Sequence, residues 1–208
     1  MTLQGEPELV DPDFNALPPD PLIKLRLCLE AAHKLGISEP MGLLLSTVDG
    51  QGRPWSRVVL MKDCDTTGVV FGTSEDSSKG RDFKANSCAS GTLWWRETVQ
   101  QIHLQGRVTC LSDAQSDELF QSRTRDAQAI AVLSHQRIPF TSADEYDLKV
   151  KVLELVNSKK IIMRPSQWHA YHLKAEAMEF WYGSKDRFHK RVRYDIGDGV
   201  WTHQRLQP

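Results

Sequence analysis

Two basic segments with apolar residues between the charges hold the side chains best suited to chemistry in this chain. They are Arg57-Val-Val-Leu-Met-Lys62 and Arg187-Phe-His-Lys-Arg-Val-Arg193. Because side chains alternate between the two faces of a β-strand, a strand over 187–194 would place its odd-numbered cations on one face. Like charges at neighbouring positions on one face repel each other, so this pattern favours an anionic ligand on the sheet. An edge strand with solvated basic side chains is an equally good interpretation of these residues alone.

A second feature is Ser77-Ser-Lys79, which begins a predicted short helix that ends near Ala85. The N-terminus of a helix offers free N–H groups and the positive end of the helix dipole, and both attract phosphate. Ser78 and Lys79 would add a hydroxyl group and a cation to this site. An ordinary capped helix with a surface lysine is the alternative interpretation.

Arg57 and Lys62 raise a question of geometry because they lie five positions apart. A regular strand would point them to opposite faces of the sheet. Both could reach one ligand only if Lys62 lies at the strand end or past a bulge. Otherwise one cation lies along apolar surface and the other is solvated.

Amide and aromatic side chains suit the flat part of a ligand. Gln101 lies on the polar face of the predicted strand 99–111, and its amide can both donate and accept at the edge of a heterocycle. Trp181 directly precedes the second basic segment, where an indole beside guanidinium groups fits a flat anionic ligand, although core packing is an equal alternative. Cations, hydroxyls, an amide and tryptophans together predict a phosphorylated heterocycle such as FMN, bound without a metal.

Composition limits the other function classes. The 208 residues are 40% hydrophobic and 25% charged with a net charge of −1, so the basic segments are local and a general nucleic-acid binder is not expected. Four scattered cysteines and the lack of a metal-spaced cluster of ligands predict reduced thiols, no metal site and a cytoplasmic protein. The sequence has neither an apolar run that could span a bilayer nor a signal peptide, so no membrane partner is expected.

The elements that must position these residues are predicted to be antiparallel strands with helices around them. Capping residues and apolar spacing place helices at 20–36, 77–85, 112–122, 126–134 and 142–157, with capping boxes at 112–115 and 142–145. Alternation and turn signals place strands at 42–48, 57–61, 69–71, 89–95, 99–111, 167–173, 176–182, 187–194 and 201–206. This order predicts about six to eight antiparallel strands in a closed or nearly closed β-barrel with four or five peripheral helices. One domain is expected over 20–208, after a flexible or draped N-terminal arm over 1–19.

The order of the motifs closely resembles the pyridoxamine 5′-phosphate oxidase family from about residue 22 to the C-terminus. The segments that carry the resemblance are Arg57-Val-Val-Leu-Met-Lys62, Val70-Phe-Gly-Thr73, Ser77-Ser-Lys79, Gln101, Ser122-Arg123-x-Arg125-Asp126, Glu179-Phe-Trp181 and Arg187-Phe-His189-x-Arg191. The resemblance implies a mainly β protein, an FMN-binding split β-barrel of antiparallel, Greek-key-like topology. It also implies a homodimer with FMN at the interface.

Carried over by position, the resemblance implies a set of FMN-binding residues. They are Arg57, Val58, Lys62, Gly72, Thr73, Ser78, Lys79, Gln101, Gln136, Trp181 and Arg191. Most of those between 57 and 79 would hold the phosphate and ribityl end, whereas Gln101, Trp181 and Arg191 would contact the flavin ring. Gln136 would reach the FMN of the second subunit. Ser78 departs from the family, because many members have arginine there.

The implied substrate residues are Lys62, Arg123, Arg187 and His189, and no catalytic side chain is implied because the flavin carries the chemistry. Members that oxidise pyridoxamine phosphate hold its phosphate with a tyrosine, an arginine and a serine. Here those positions are Leu119, Arg123 and Ala127. Loss of two partners at roughly 1.5–3 kcal/mol each would weaken phosphate binding on the order of a hundredfold or more.

This departure resembles the family branch that acts in phenazine biosynthesis. The segments 94–102, 48–54 and 204–208 also resemble that branch. The implied activity is oxidation of reduced tricyclic phenazine carboxylates by hydride transfer to FMN, with O2 as the acceptor that reoxidises the flavin. A pyridoxamine or pyridoxine 5′-phosphate oxidase and a non-catalytic flavin-binding protein are the alternatives.

Overall fold

Nine strands in one sheet dominate the part of the chain that the computed structural model describes, residues 5–10 and 12–208. The strands are β1 (Gly42–Val48), β2 (Pro54–Leu60), β3 (Asp63–Cys64), β4 (Gly68–Ser74), β5 (Cys88–Trp95), β6 (Gln100–Cys110), β7 (Trp168–Tyr182), β8 (Lys190–Gly197) and β9 (Val200–Leu206). Their pairings are antiparallel throughout. The predicted number of six to eight is one too low for the described residues: the segments predicted at 167–173 and 176–182 form one strand, and Asp63–Cys64 forms a short strand that was not predicted.

Five α-helices lie around the sheet, and the prediction of four or five is confirmed for the described residues. They are α1 (Pro21–Lys34), α2 (Ser78–Ala85), α3 (Asp113–Gln121), α4 (Arg125–Leu133) and α5 (Ser142–Asn157). Local sequence sets their starts: Asp20 caps α1 ahead of Pro21, and Ser112 with Gln115 forms the predicted capping box of α3. The box of α5 is formed by Thr141 and Asp144, one residue before the predicted pair.

The sheet closes on itself at one point and is split elsewhere. Its strand order is β2-β1-β5-β6-β7-β4-β3, with β8 paired to β7 and β9 to β8. Just after β2, the Lys62 N–H donates to the carbonyl of Val70 in β4 at 2.7 Å. Before this contact β2 pairs with β1 along one edge, and a gap separates its other edge from β4. The predicted split β-barrel with Greek-key-like order is confirmed.

Apolar residues on the inner face of the sheet form the main core. Leu43, Leu93 and Ile102 occupy neighbouring positions across β1, β5 and β6 and are at most 2% exposed. Leu22 and Leu25 of α1 cover one end of this core. A smaller cluster joins Phe120, Ala129, Ile162 and Trp168. Burial of each large side chain contributes about 1.5–3 kcal/mol, so this packing fixes the strand ends that carry the polar residues.

A bulge explains why β7 is one strand and not the two predicted over 167–173 and 176–182. Gln105 pairs with Ala177 but its neighbour Gly106 pairs with Ala175, so Glu176 is an extra residue in β7. The extra residue reverses the alternation of buried and exposed side chains, which resembles a strand break in sequence. A side chain at position 106 would lie 1.8 Å from the carbonyl oxygen of Lys174, so only glycine fits there.

The strand predicted over 187–194 is wrong at its start, because β8 begins at Lys190. Arg187 has a φ of +71° and lies in the preceding turn. Asp186 accepts from the Phe188 N–H at 2.9 Å, and the Ser184 N–H donates to Nδ1 of His189 at 3.1 Å. These local hydrogen bonds stabilise the turn, so Arg187 and His189 do not share a strand face with Arg191.

The described residues of the N-terminal segment lie against the barrel. Phe14 makes an edge-to-face contact with Tyr182, and the Tyr194 hydroxyl donates to the Pro18 carbonyl at 3.1 Å. Residues 1–4 and 11 of the predicted arm lie outside the described residues. The flexibility of the arm and its division from a domain over 20–208 remain predictions.

Candidate cofactor site

A cleft occupies the gap between β2 and β4. Its volume is about 620 Å³, and α2 and the segment after α4 complete its walls. The predicted ligand residues along its lining are Val58, Gly72, Thr73, Lys79, Arg123 and Gln136. An adjoining cavity of about 370 Å³ shares Gly72, Arg123 and Trp168 with the cleft and adds Lys62. The fold therefore collects distant parts of the sequence around one opening.

The N-terminus of α2 lies at this cleft. Ser77 caps the helix, since its Oγ accepts from the Gly80 N–H at 3.1 Å. A side chain at Gly80 would come within 2.5 Å of the carbonyl oxygens of Ser74 and Glu75, so glycine allows the first turn to pack against the end of β4. The first-turn N–H groups of Ser78 and Lys79 have no acceptor inside the helix and remain available to an anion.

Arg57 projects toward α2 from the inner side of β2. Its Nη1 donates to Thr47 Oγ1 at 2.6 Å, and the Thr47 hydroxyl donates to Asp82 Oδ2 at 2.5 Å. Its Nη2 lies 3.5 Å from the same Asp82 oxygen, too far for a full hydrogen bond. Within the described residues this buried nitrogen has no hydrogen-bond partner. Buried donors are normally paired, so the hydrogen-bonding capacity of this arginine is not fully used.

The charge around Arg57 is incompletely balanced. Burial lowers the pKa of Lys79, and repulsion by Arg57 lowers it further, while Asp82 opposes both effects. Burial also lowers the pKa of Arg57, against the attraction of Asp82. Two cations, an unpaired donor and a helix N-terminus fit a phosphate group. The residues present therefore fit the phosphate end of FMN.

The residues predicted to contact the flavin ring lie elsewhere, on the outer face of the sheet. Gln101, Trp181 and Arg191 are direct cross-strand partners on β6, β7 and β8, and Trp94 pairs with Gln101 from β5. These four residues form the outer patch. The centroid of the Trp181 ring lies 4.7 Å from that of His189 and 6.4 Å from that of Trp94. As far as the structure describes the lining of the cleft, it does not include the outer patch.

The outer patch is not the free basic surface that the sequence predicts. Nε and Nη2 of Arg191 both lie 2.8 Å from Glu179 Oε1, and its Nη1 donates to the Gln207 carbonyl at 3.2 Å. Arg193 pairs with Asp195 at 2.8 Å. These acids offset the positive charges of the two arginines. The acids were visible in sequence, but their pairing depends on strand register.

The predicted substrate residues divide in the same way. Lys62 and Arg123 line the adjoining cavity together with Leu119 and Ala127. The Arg123 guanidinium lies 5.0 Å from the centroid of the Trp168 ring, and burial lowers the pKa of this arginine. Arg187 and His189 instead border a small cavity of about 30 Å³ beside Gly5 and Pro7.

Sequence reasoning missed Trp168, which lines the cleft, and Thr47 and Asp82, which hold Arg57 beside it. Each acts through a contact between different elements, and no local motif marks it. Trp168 forms a wall that Gly72 must accommodate, since a side chain at 72 would lie 2.2 Å from the indole.

Residues 5–10 and 12–208 contain no group of three or more histidine, cysteine or acidic side chains arranged to hold a metal ion. Within the same ranges, no helix has the length and apolar character needed to cross a membrane.

Two family profiles together cover most of the chain. The profile of pyridoxamine 5′-phosphate oxidase matches residues 29–157, and the profile of the pyridoxine 5′-phosphate oxidase C-terminal dimerisation region matches residues 168–208. The chain therefore belongs to the pyridoxamine 5′-phosphate oxidase family, a family of oxidoreductases. The predicted family membership is confirmed.

Individual relatives point to two activities. A dihydrophenazinedicarboxylate synthase from Pseudomonas chlororaphis is 37% identical over 207 residues, which cover 100% of this chain and 92% of the relative. A pyridoxine/pyridoxamine 5′-phosphate oxidase from Myxococcus xanthus is 34% identical over 92% of this chain and 93% of the relative. The crystal structure of PhzG from Burkholderia lata in complex with tetrahydrophenazine-1-carboxylic acid matches with a TM-score of 0.90 at 34% identity, covering 96% of this chain and 98% of that one.

Proposed function

We propose that this protein is an FMN-dependent oxidase of phenazine biosynthesis that acts on reduced tricyclic phenazine carboxylates. The observation that carries this proposal is the adjoining cavity, which Lys62 and Arg123 line together with apolar Leu119 and Ala127. The lining also contains two hydroxyl groups, but Ser122 donates to the Leu119 carbonyl and Thr124 accepts from the Ala127 N–H. Two cations with few free hydrogen-bond donors suit a carboxylate on an aromatic body better than a phosphate, which needs several donors. The likeness to PhzG, which was crystallised with a tricyclic carboxylic acid, supports the same substrate class.

FMN would be held at two places. Arg57, Lys79 and the N–H groups that begin α2 would bind its phosphate, and Thr73 and Lys62 would lie along the ribityl chain. Gln101, Trp181 and Arg191 of the outer patch would contact the ring. When bound, FMN supplies the hydride acceptor and the route for electrons to O2, with hydrogen peroxide as product.

A homodimer would bring these two places together at each site, with Gln136 reaching the FMN bound mainly by its partner. The match to the family's C-terminal dimerisation region supports this assembly. So do exposed apolar side chains on the outer face of the sheet: Val58 is 70% exposed, Leu60 48% and Trp94 44%. Contiguous exposed apolar surface of this kind marks protein interfaces.

The protein's own part in the reaction would be to bind and orient. Lys62 and Arg123 would fix the substrate carboxylate so that the tricycle lies flat in the cleft, and Trp168 would exclude water from one side. Arg187 and His189 would add positive charge at the ring end of the site. A dedicated side-chain base is unnecessary when the hydride leaves an electron-rich, partly reduced ring.

The test starts from the visible spectrum of the purified protein, followed by anaerobic addition of a reduced phenazine carboxylate or of pyridoxine 5′-phosphate. We expect a yellow protein that releases FMN and that bleaches with the phenazine precursor. Bleaching with pyridoxine phosphate should be on the order of a hundredfold slower. A colourless protein that cannot be loaded with FMN would contradict the proposal.

A pyridoxine 5′-phosphate oxidase is the second candidate, because Arg123 is retained in the adjoining cavity. Fast bleaching with pyridoxine phosphate would favour it. A flavin that neither substrate reduces would instead indicate a non-catalytic flavin-binding protein.

A further inference from the structure

We propose that Thr47 and Asp82 are positioning residues that hold Arg57 for the FMN phosphate and so give the site its preference for FMN over riboflavin. This inference rests on the proposed function, because it assumes FMN in the cleft. It concerns residues that reach the cofactor only through Arg57.

The hydrogen-bond chain that supports this role starts at Arg57, which is close enough to Lys79 of the cleft lining for their charges to repel. Arg57 Nη1 donates to Thr47 at 2.6 Å, and Thr47 donates to Asp82 at 2.5 Å. Thr47 is fully buried and Asp82 is 9% exposed, so water does not compete for these contacts. The three residues come from β2, β1 and α2, and the chain therefore locks the arginine to both the sheet and the helix.

An acid at this place needs an explanation. A buried carboxylate close to a phosphate site repels the phosphate, and hydrogen bonds between charged groups strengthen inside a protein. Uncharged acceptors could satisfy the hydrogen bonds of Thr47 and Arg57. A carboxylate at this place is explained if it fixes the arginine, whose long side chain would otherwise lose rotamer freedom when it binds an anion.

Arg57 is held but not saturated. Asp82 takes up one end of the guanidinium through Thr47, while Nη2 stays without a hydrogen-bond acceptor among the described residues. The Arg57 side chain is still 18% exposed, so a guanidinium fixed in one orientation can meet a phosphate oxygen with little further loss of rotamer freedom. Riboflavin has a neutral hydroxyl group in place of the phosphate, so its hydrogen bond to the same guanidinium would be weaker.

The experiment measures the dissociation constants of FMN and riboflavin by flavin fluorescence for the full-length protein and for Thr47→Val, Asp82→Ala and Asp82→Asn. Thr47→Val keeps the side-chain volume and removes both hydrogen bonds. Asp82→Asn keeps an oxygen that can accept from Thr47. Thr98→Val is the matched control, since Thr98 is also buried and donates one side-chain hydrogen bond, to Gln100 at 2.7 Å.

We expect Thr47→Val and Asp82→Ala to lower the preference for FMN over riboflavin by about tenfold or more, with riboflavin affinity unchanged. Asp82→Asn should recover most of the preference, and Thr98→Val should keep all of it. Retained riboflavin affinity shows that a variant is folded, and Thr47→Val alone decides the matter if Asp82→Ala does not fold. Wild-type preference in Thr47→Val would overturn the inference. A wild-type protein with no preference for FMN would instead count against the proposed function.

Discussion

The two arginines predicted to bind FMN are held in contrasting ways. Arg57, near Lys79 of the cleft, keeps a buried nitrogen without a hydrogen-bond partner among the described residues, and its pKa is lowered by burial. Arg191 on the outer patch is fully engaged by Glu179 and the Gln207 carbonyl. A buried donor without a partner gains the most binding free energy when a ligand supplies an acceptor. A donor that already has its partners mainly fixes the geometry of the site. Affinity for the cofactor should therefore reside mainly in the cleft and orientation in the outer patch.

The largest effect is expected when Arg57 is removed. Arg57→Gln should weaken FMN binding by about a hundredfold, because a charge-assisted contact to phosphate contributes about 1.5–3 kcal/mol. Titration of the apoprotein with FMN measures the change. Arg53→Ala serves as the control, since the Arg53 side chain lies just before β2, is 71% exposed and forms an ion pair with Asp49. Equal loss in both variants would contradict a special role for Arg57.

A second large effect is expected when hydrogen-bond donors are added to the adjoining cavity. Leu119→Tyr combined with Ala127→Ser supplies two hydroxyls beside Arg123 in the adjoining cavity. We expect turnover with pyridoxine 5′-phosphate to rise by about tenfold, because each new hydrogen bond to a charged group adds binding. Steady-state kinetics on pyridoxine phosphate and on a reduced phenazine carboxylate measure the shift. Unchanged selectivity would show that the cavity does not receive the anionic end of the substrate.

A smaller effect is expected on the outer patch. Glu179→Gln keeps one oxygen that can accept from Arg191 but removes the negative charge, so FMN affinity should change by about threefold at most. The uncompensated positive charge of Arg191 should make the bound flavin easier to reduce. The midpoint potential of bound FMN, measured by dye equilibration, should rise. A loss of affinity as large as that in Arg57→Gln would invert the proposed division between the two places.

The smallest effect concerns pH and His103, which neighbours the outer patch on β6. Burial lowers the pKa of His103, attraction by Glu179 opposes this, and repulsion by Arg193 adds to it. The unfolded chain, with a histidine pKa of about 6.5, then binds more protons than the folded protein. The contribution of His103 to the free energy of unfolding should be fully present above that pH and should decline as the pH falls below it.

The change in melting temperature between pH 7.5 and 5.5 measures this dependence. His103→Gln should flatten it. His33→Gln should leave it unchanged, since His33 is exposed at the end of α1. Equal slopes in all three proteins would exclude His103 as the group responsible.

Local signals predicted much of the fold. Capping residues such as Asp20 and Ser112 set helix starts because they act within a few residues. Errors arose where pairing between distant strands decides the structure. The bulge at Glu176 and the early turn at Arg187 follow from register and from local hydrogen bonds that no periodicity reveals.

The candidate site shows the same limit. The ordered motifs predicted Lys79, Arg123 and Gln136, which line one cleft, and Arg57, which interacts with Lys79. Thr47 and Asp82 were not predicted, because the pairing of β1 with β2 brings Thr47 to Arg57 and the packing of α2 on β1 brings Asp82 to Thr47. The pairing of Arg191 with Glu179 is also invisible until the strands are aligned.

Strand β7 has a consequence for how the protein loosens. It runs without interruption from Trp168 at the cleft to Trp181 in the outer patch. One edge pairs with β6, and the other pairs first with β4 and then with β8. A strand held on both edges opens only when the sheet comes apart, so its amide protons should be among the slowest to exchange with solvent. The cleft and the outer patch thus belong to one cooperative unit. Local unfolding of β7 would expose both places together.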